Sequence, residues 1–229
     1  MPVFQLSEDL VFPDVELATS EGILAIGGDL SPERLVLAYK RGIFPWFSDD
    51  QPIIWWAPDP RFVLFPEDLK ISKSMKSVFN KGAFEVRFDT CFSEVINACK
   101  TVDRKEQDGT WITDEMKNAY IKLHELGLAH SVEVFKDDCL VGGLYGISLG
   151  KVFFGESMFA NESNASKVGF ITLVQHLKER GFEIIDCQVY TQHLESLGGI
   201  EVPRKEFMHY LRSALSADTL KSKWTTIFN

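Results

Sequence analysis

The chain has 229 residues, a formal net charge of −9 and 45% hydrophobic residues. This hydrophobic content is ample for one large core, or for a small and a medium domain. The negative charge argues against a protein that coats nucleic acid indiscriminately, although it leaves room for a local basic patch. No apolar run reaches the ~18 residues of a membrane span, and residues 1–17 lack the features of a signal peptide. We therefore expect a soluble, cytoplasmic protein with no membrane partner.

One helix stands out in the first 62 residues, which otherwise read as irregular. Ser31 is its N-cap, Pro32 takes the first helical position and Gly42 follows its end. Beyond it, three of the five tryptophans fall between positions 46 and 56, in segments that prolines hold extended. This cluster has two interpretations. The tryptophans pack in the core, or they form a rigid aromatic wall for a flat ligand such as a nucleobase.

A short basic helix is predicted next, from the Ser72 cap through Lys81. Lys70, Lys73, Lys76 and Lys81 lie in a window without any acidic residue. On an acidic protein this concentration is the best candidate for contacting phosphates. The alternative is an ordinary solvated helix face.

Regular strands and helices continue after this segment. We predict a strand over 84–88, a helix around residues 92–99, a loop over 101–108 and a helix from the Thr113 cap to Gly127. Strand-like runs over 130–135, 140–149 and 152–159 then favour an antiparallel meander. Five glycines between positions 142 and 155 suggest a splayed sheet with room between its strands.

The end of the chain returns to the sheet through a crossover. A helix over 164–180 leads into a strand over 182–189, and Pro203 starts a last helix. Strand–helix–strand connections of this kind normally make the two strands parallel neighbours. We therefore expect Glu156 and Asp186 to meet near one end of the sheet.

Polar residues interrupt the strand over 182–189. Because alternate side chains share a face, Asp186 and Gln188 should point the same way, ~7 Å apart. If that face is buried, each group needs a partner, because an unpaired polar group there costs ~1–3 kcal/mol. The plainer interpretation is a half-exposed strand whose polar side chains face water.

Four cysteines occur, at positions 91, 99, 139 and 187. None forms a Cys-x-x-Cys pair, and no neighbouring histidine gives the spacing of a metal site. The simplest interpretation is four reduced thiols and no metal ion. A second interpretation makes Cys187 a nucleophile with His193 as its base.

Seven short motifs, in this order along the chain, resemble the leucyl/phenylalanyl-tRNA–protein transferase family. They are GGDLS at 27–31, RGIFPWF at 41–47, WWAPDPR at 55–61, GTWIT at 109–113, GESMF at 155–159, NASK at 164–167 and IDCQ at 185–188. The element order after residue 71 also resembles the GNAT acyltransferases. The resemblance implies an α+β fold, with a GNAT-like catalytic domain over 63–229 preceded by a small Trp- and Pro-rich N-terminal domain over 1–62.

The resemblance implies an aminoacyltransferase that needs neither a metal nor coenzyme A and acts as a monomer. It would move Leu or Phe, and less well Met, from aminoacyl-tRNA to the N-terminal Arg or Lys of acceptor proteins, which marks them for degradation. The segment over 159–167 has no glycine, so it would cradle a coenzyme A pyrophosphate poorly. The rival interpretations are a coenzyme A-dependent acetyltransferase and a non-catalytic module that recognises N-termini.

The same resemblance implies roles for individual residues. Gln188 would accept a hydrogen bond from the attacking amine, while Asp186 orients Gln188 or stabilises the developing ammonium. A ribose hydroxyl of the tRNA could relay the proton instead. Glu156 would attract the cationic first residue of the acceptor, and Trp46 and Trp111 would stack on the terminal adenosine.

An aminoacyl pocket and a tRNA contact complete the expected site. The pocket residues implied by the resemblance are Leu144, Phe153, Met158, Phe170, Leu173 and Ile185, each of which could also be plain core. Leu144 replaces the more flexible methionine that the family leads us to expect. Lys73, Lys76 and Lys81 would hold phosphates of the acceptor stem, with Ser77 and Asn80 at positions expected to be basic.

Overall fold

The computed structural model of the chain describes residues 3–101 and 112–228. Its helices are α1 (Pro32–Lys40), α2 (Lys73–Lys81), α3 (Phe92–Thr101), α4 (Asp114–Glu125), α5 (Ala165–Glu179), α6 (Gln192–Glu195) and α7 (Arg204–Ala214). Its strands are β1 (Phe4–Leu6), β2 (Ile23–Gly27), β3 (Phe44–Pro45), β4 (Ile54–Trp56), β5 (Arg61–Leu64), β6 (Glu85–Phe88), β7 (Ala129–Lys136), β8 (Cys139–Leu149), β9 (Val152–Ala160), β10 (Ile184–Gln188) and β11 (Ile200–Val202). Within these residues no helix has the length and apolarity needed to cross a bilayer.

Side-chain caps fix the starts of three predicted helices. The hydroxyls of Ser31, Ser72 and Thr113 each accept a hydrogen bond from a main-chain N–H in the first turn of α1, α2 and α4. Each bond satisfies a donor that the helix itself leaves unpaired. The predicted positions of these helices are confirmed.

A four-stranded sheet, in the order β1-β2-β4-β3, forms the N-terminal part of the molecule. The expectation that this region is irregular apart from one helix is therefore wrong. Strands β1, β3 and β4 contain two or three residues each, too few for an alternating pattern to be visible in the sequence. The Trp55 indole is wholly buried and donates to the Gly27 carbonyl at 2.9 Å, which ties β4 to β2.

The larger sheet has seven strands in the order β11-β5-β10-β9-β8-β7-β6. Its antiparallel meander β7-β8-β9 and the parallel pairing of β10 with β9 across α5 are confirmed. The predicted α+β fold class, with paired helices, an antiparallel meander, a crossover helix and a further strand, is confirmed as well. Strands β5 and β11 were not predicted. Because β5 begins at Arg61, the expected domain boundary at residue 62 falls inside a strand of the larger sheet.

Two apolar cores lie on opposite faces of the larger sheet. One combines residues of the N-terminal sheet and α1 with residues of α3, α4 and α7, among them Leu24, Trp55, Ile96 and Leu211. The other lies under α5 and includes Leu144, Phe153, Phe170 and Trp224. The first core joins the N-terminal sheet to the larger sheet, so burial of apolar surface stabilises both together.

The glycine-rich strands β8 and β9 pair from Gly142–Ala160 to Leu149–Val152, with one irregularity at Tyr145–Gly146. A Cβ atom at Gly146 would lie 2.2 Å from the Phe154 carbonyl oxygen and 2.5 Å from the Phe153 ring. Glycine therefore permits close approach here, and the expectation that these glycines splay the strands apart is wrong. The room lies elsewhere, between β9 and β10.

Candidate active site

The sheet opens where β9 and β10 separate. Their paired residues are Val152–Phe154 and Ile184–Asp186, whereas β9 continues along β8 to Ala160. At Gln188 the main chain has a φ of +66°, and the pairing of β10 with β5 shifts between Asp186 and Gln188. A cavity of about 450 Å³ occupies the resulting gap.

Mostly apolar side chains line this cavity. They come from β3, β8, β9, α5 and the segment after β10, and include Phe44, Trp46, Leu144, Phe153, Met158, Phe159, Phe170, Val189 and Leu194. Two polar groups of the expected site, Glu156 and Gln188, lie on the same wall. An apolar slot with a few polar groups on one side is typical of a site that binds a small apolar moiety and fixes its orientation.

Asp186 forms a buried ion pair with Arg61. The Arg61 Nε and Nη2 atoms donate to the two carboxylate oxygens of Asp186 at 2.8 and 2.7 Å, and both side chains are at most 1% exposed. The Arg61 guanidinium also lies over the rings of Phe44 and Phe207, at 4.6 and 4.8 Å from their centroids. The interpretation that Asp186 faces water is therefore wrong.

The expected common face of Asp186 and Gln188 is wrong too, because the left-handed main chain at Gln188 interrupts the alternation. Gln188 contributes to the cavity wall, whereas Asp186 does not. The Gln188 main-chain N–H donates to Asp186 Oδ1 at 2.9 Å. Asp186 can thus orient Gln188 through the main chain, but direct contact with an ammonium in the cavity is not available to it.

Glu156 on β9 holds the carboxamide of Gln188 on β10 by a hydrogen bond. Gln188 Nε2 donates to Glu156 Oε1 at 3.0 Å, and Gln188 is only 8% exposed. This bond fixes which end of the amide is the nitrogen, because a carboxylate can only accept. The amide oxygen, Oε1, is left as the acceptor.

Glu156 is buried among hydroxyl groups. The Tyr120 hydroxyl donates to Glu156 Oε2 at 2.8 Å, and the hydroxyls of Tyr39 and Tyr120 lie 2.5 Å apart. Burial raises the pKa of Glu156 to about 7, with the nearby charge of Asp186 acting in the same direction and the hydrogen bonds opposing it. Glu156 therefore changes charge close to neutral pH.

The six expected pocket residues separate into two groups. Leu144, Phe153, Met158 and Phe170 line the cavity. Leu173 and Ile185 do not: both are wholly buried within the core under α5. The structure therefore places these two residues behind the cavity lining.

The aromatic and basic residues of the expected tRNA contact lie on different elements. Trp46 is half-buried on the cavity wall and accepts, through its main-chain oxygen, a hydrogen bond from the Trp56 indole at 2.7 Å. Trp111 lies outside the described residues. Lys73, Lys76 and Lys81 are exposed along α2, with Met75 buried beneath them.

The alternative of a cysteine nucleophile is not supported. Cys187 is buried, and burial raises the pKa of its thiol well above the usual range, so the reactive thiolate is disfavoured. His193 lies on the cavity wall, and no hydrogen bond joins the two side chains in the described part of the chain. Among the same residues, no group of three or more His, Cys, Asp or Glu could hold a metal ion.

Sequence reasoning missed three residues of this site: Arg61, Tyr39 and Tyr120. Arg61 ends the WWAPDPR motif, and an arginine that opens an apolar stretch such as RFVL signals a buried partner. The tyrosines gave no such signal, because each has the spacing of an ordinary apolar helix position.

Comparison with known proteins identifies the class as a transferase. The family model described as "Leucyl/phenylalanyl-tRNA protein transferase" matches residues 63–212, and that of its N-terminal domain matches residues 28–59. The chain belongs to the leucyl/phenylalanyl-tRNA–protein transferase family, and it is an enzyme that transfers an aminoacyl group from tRNA to protein.

Relatives match over nearly the whole chain. A leucyl/phenylalanyl-tRNA–protein transferase of Syntrophus aciditrophicus is 55% identical over 99% of this chain and 95% of its own length. That of Flavobacterium johnsoniae is 57% identical over 92% of this chain and all of its own. Among solved structures, an aminoglycoside acetyltransferase from a soil metagenome is similar with a TM-score of 0.38 and 16% identity, covering 48% of this chain and 80% of that one.

Proposed function

We propose that the enzyme moves leucine or phenylalanine, and less well methionine, from aminoacyl-tRNA to the N-terminal Arg or Lys of acceptor proteins. The product is a protein marked for degradation by the N-degron pathway. The enzyme works in the cytoplasm as a monomer, without a metal or coenzyme A. The observation that carries this proposal is the apolar cavity between β9 and β10, with Gln188 and an ionisable Glu156 on one wall.

The aminoacyl side chain enters the apolar part of the cavity. Leu144, Phe153, Met158 and Phe170 surround that part, and the flexible thioether of Met158 lets one slot adapt to branched and aromatic shapes. A hydrophobic slot separates side chains that differ by one methylene by only ~1–3 kcal/mol. Overlap between leucine, phenylalanine and methionine follows from this limit.

The reaction is aminolysis of an ester. The acceptor's α-amine attacks the carbonyl carbon of the aminoacyl ester, a peptide C–N bond forms and the ester C–O bond breaks. The leaving ribose oxygen receives the proton that the amine loses, directly or through a neighbouring ribose hydroxyl. A free α-amine has a pKa of ~8, so a usable fraction is neutral at cellular pH.

Positioning contributes most of the rate in this scheme, because an aminoacyl ester is already activated. Gln188 Oε1 accepts a hydrogen bond from the amine and directs its lone pair at the carbonyl carbon. Asp186, paired with Arg61, holds the main chain of Gln188 in place. Ionised Glu156 attracts the cationic side chain of the acceptor's first residue.

The tRNA is held outside the cavity. Trp46, on the cavity wall, stacks on the terminal adenosine together with Trp111. Lys73, Lys76 and Lys81 on the exposed face of α2 contact phosphates of the acceptor stem without reading the base sequence.

One transfer assay tests the proposal. Purified enzyme is mixed with Leu-, Phe-, Met- or Val-tRNA and with peptides that begin with Arg, Lys or Ala. We expect products with Leu and Phe, a weaker one with Met, and products only on the peptides beginning with Arg or Lys. Equal transfer to the Ala peptide contradicts the acceptor assignment, and acetylation of these peptides from acetyl coenzyme A favours the rival enzyme.

A further inference from the structure

A continuous row of hydrogen bonds joins α1 to the cavity wall. It runs from the Tyr39 hydroxyl to Tyr120 (2.5 Å), from Tyr120 to Glu156 (2.8 Å) and from Glu156 to the Gln188 amide (3.0 Å). Tyr39 and Tyr120 are wholly buried, and neither contributes to the cavity lining. No substrate atom in the cavity therefore needs to contact either hydroxyl.

The donors and acceptors in this row can be ordered in only one way when Glu156 is ionised. A carboxylate accepts but cannot donate, so Gln188 Nε2 and the Tyr120 hydroxyl both donate to Glu156. Because Tyr120 has used its single proton, Tyr39 must donate to the Tyr120 oxygen. Every proton in the row is then assigned, and Gln188 presents its oxygen, not its nitrogen, to the cavity.

We infer that Tyr39 and Tyr120 are positioning residues for aminoacyl transfer, acting through Glu156 to keep the carboxamide oxygen of Gln188 turned toward the attacking amine. This inference rests on the proposed role of Gln188. It gives helices α1 and α4 a part in positioning Gln188, since Tyr39 belongs to α1 and Tyr120 to α4.

Protonation of Glu156 breaks this order. A proton on Oε1 faces the Gln188 NH₂ group and favours rotation of the amide, which turns the nitrogen into the cavity. A proton on Oε2 faces the Tyr120 hydroxyl and reverses the bond between the two tyrosines. Ionised Glu156 therefore holds Gln188 in its reactive orientation, whereas a proton on Oε1 releases the amide.

The charged and titratable groups around Glu156 determine the balance between its ionised and protonated forms. Asp186 on β10 opposes ionisation of Glu156, while its partner Arg61 on β5 offsets part of that charge. Tyr39 and Tyr120 favour ionisation of Glu156 by hydrogen bonding. The pKa values of both tyrosines are raised well above 10, mainly by burial, so they remain neutral donors throughout the working pH range.

Tyr145 on β8 is the remaining titratable group of this cluster. It is wholly buried, its ring lies 5.5 Å from that of Tyr120, and its charge would oppose ionisation of Tyr39 and Tyr120.

The test uses Tyr39→Phe, Tyr120→Phe and the double variant, each of which removes only hydroxyl groups. Tyr210→Phe on α7, where the side chain is 39% exposed, is the matched control. Titration of the Glu156 carboxyl carbon by ¹³C NMR in the full-length protein gives a readout that does not need activity. The pH profile of kcat/KM for transfer gives a second readout.

We expect Tyr120→Phe to raise the midpoint of the Glu156 titration by about one pH unit, because a hydrogen bond to the charged form is lost. Tyr39→Phe should raise it by about half a unit. The double variant should raise the midpoint at least as far as Tyr120→Phe does, because both hydroxyls favour the ionised carboxylate by hydrogen bonding. The acidic limb of the transfer profile should move by the same amounts, and Tyr210→Phe should move neither.

An unmoved midpoint in Tyr39→Phe, or a double variant whose midpoint shifts less than that of Tyr120→Phe, overturns the inference. If Tyr120→Phe does not fold, Tyr39→Phe alone decides. A wild-type enzyme that transfers nothing from Leu- or Phe-tRNA overturns the proposed function instead. The carboxyl titration distinguishes failure of this inference from failure of the proposed function, because it reports on the row of hydrogen bonds even if the enzyme catalyses a different reaction.

Discussion

The guanidinium of Arg61 and the carboxylate of Asp186, 125 residues apart in sequence, form a two-point ion pair in the interior of the larger sheet. The pair links β5 to β10 at the point where β10 leaves β9 and the cavity opens. Asp186 also accepts the main-chain N–H of Gln188 at 2.9 Å. The ion pair therefore fixes the position of the main chain at Gln188, from which the carboxamide side chain extends.

Removal of one partner of this ion pair should destabilise the folded protein. Arg61→Met leaves the Asp186 carboxylate buried without its counter-ion, which we expect to lower the free energy of unfolding by about 3–5 kcal/mol. Arg87→Met is the matched control, because Arg87 pairs with the exposed Glu85 and such surface pairs contribute about 0–1 kcal/mol. Urea unfolding at pH 7 measures both. Equal losses in the two variants contradict a special role for the buried pair.

The left-handed main chain at Gln188 should make this position a compromise between stability and activity. A side chain at a φ of +66° is strained, whereas glycine is not. We expect Gln188→Gly to be more stable than Gln188→Ala by about 1 kcal/mol, because the two variants lack the same carboxamide. Thermal unfolding compares them, and a less stable glycine variant would show that the main chain is relaxed there.

The aminoacyl slot should respond at Leu144 but not at Leu173. Leu144→Met replaces a branched side chain on the cavity wall with a flexible one, so we expect kcat/KM for Phe-tRNA and Met-tRNA to rise several-fold relative to Leu-tRNA, within the ~1–3 kcal/mol range of such slots. Leu173→Met changes a core residue that does not line the cavity. This variant should leave the kcat/KM ratios between the three aminoacyl-tRNAs unchanged. If Leu173→Met alone changed these ratios, the aminoacyl slot would have to lie near Leu173 and not near Leu144.

The lysines of α2 should govern the salt dependence of tRNA binding. Each phosphate contact that is lost reduces the slope of log K against log salt by about 0.7–0.9. We expect the Lys73→Ala, Lys76→Ala and Lys81→Ala variants to bind aminoacyl-tRNA more weakly and with shallower slopes. Lys205→Ala, on the exposed side of α7, is the control. A steep slope that all of these substitutions leave unchanged argues for a different tRNA contact.

Glu156 should make stability depend on pH. Its pKa is about 7 in the folded protein and 4.5 without the protein's influence, so the folded state binds more protons between these values. The free energy of unfolding therefore falls as pH rises from 4.5 to 7, by about 3 kcal/mol for this group alone.

The Glu156→Gln variant lacks this titration. Relative to the variant, the wild-type enzyme should lose about 3 kcal/mol between pH 4.5 and 7.5, as measured by urea unfolding at both values. Titrations elsewhere in the chain are common to both proteins and cancel in the difference. Parallel stability curves would mean that Glu156 ionises normally.

Features that depend on neighbouring residues could be predicted from the sequence. The caps at Ser31, Ser72 and Thr113 fixed three helices, and the meander with its crossover helix brought Glu156 beside β10. Local hydrogen bonds and periodicity carry this information, because they involve residues only a few positions apart.

Features that depend on residues far apart in the sequence could not be predicted. The strand that carries Arg61 is short and buried on both faces, so it shows no alternation, and its partner Asp186 lies in a different part of the chain. The row from Tyr39 to Glu156 likewise exists only after the N-terminal helix packs on α4. Alternation also failed at Gln188, where one left-handed residue changes the direction of the side chain.

The central claim is that the Gln188 carboxamide directs the attacking amine. Single-turnover transfer of leucine from Leu-tRNA to a peptide with an N-terminal Arg, at saturating substrates, tests it most directly in wild-type and Gln188→Ala enzymes. We predict a rate at least ~10²-fold lower in the variant, with tRNA affinity unchanged. A rate within twofold of the wild-type enzyme would contradict the claim and leave the cavity as a binding site alone.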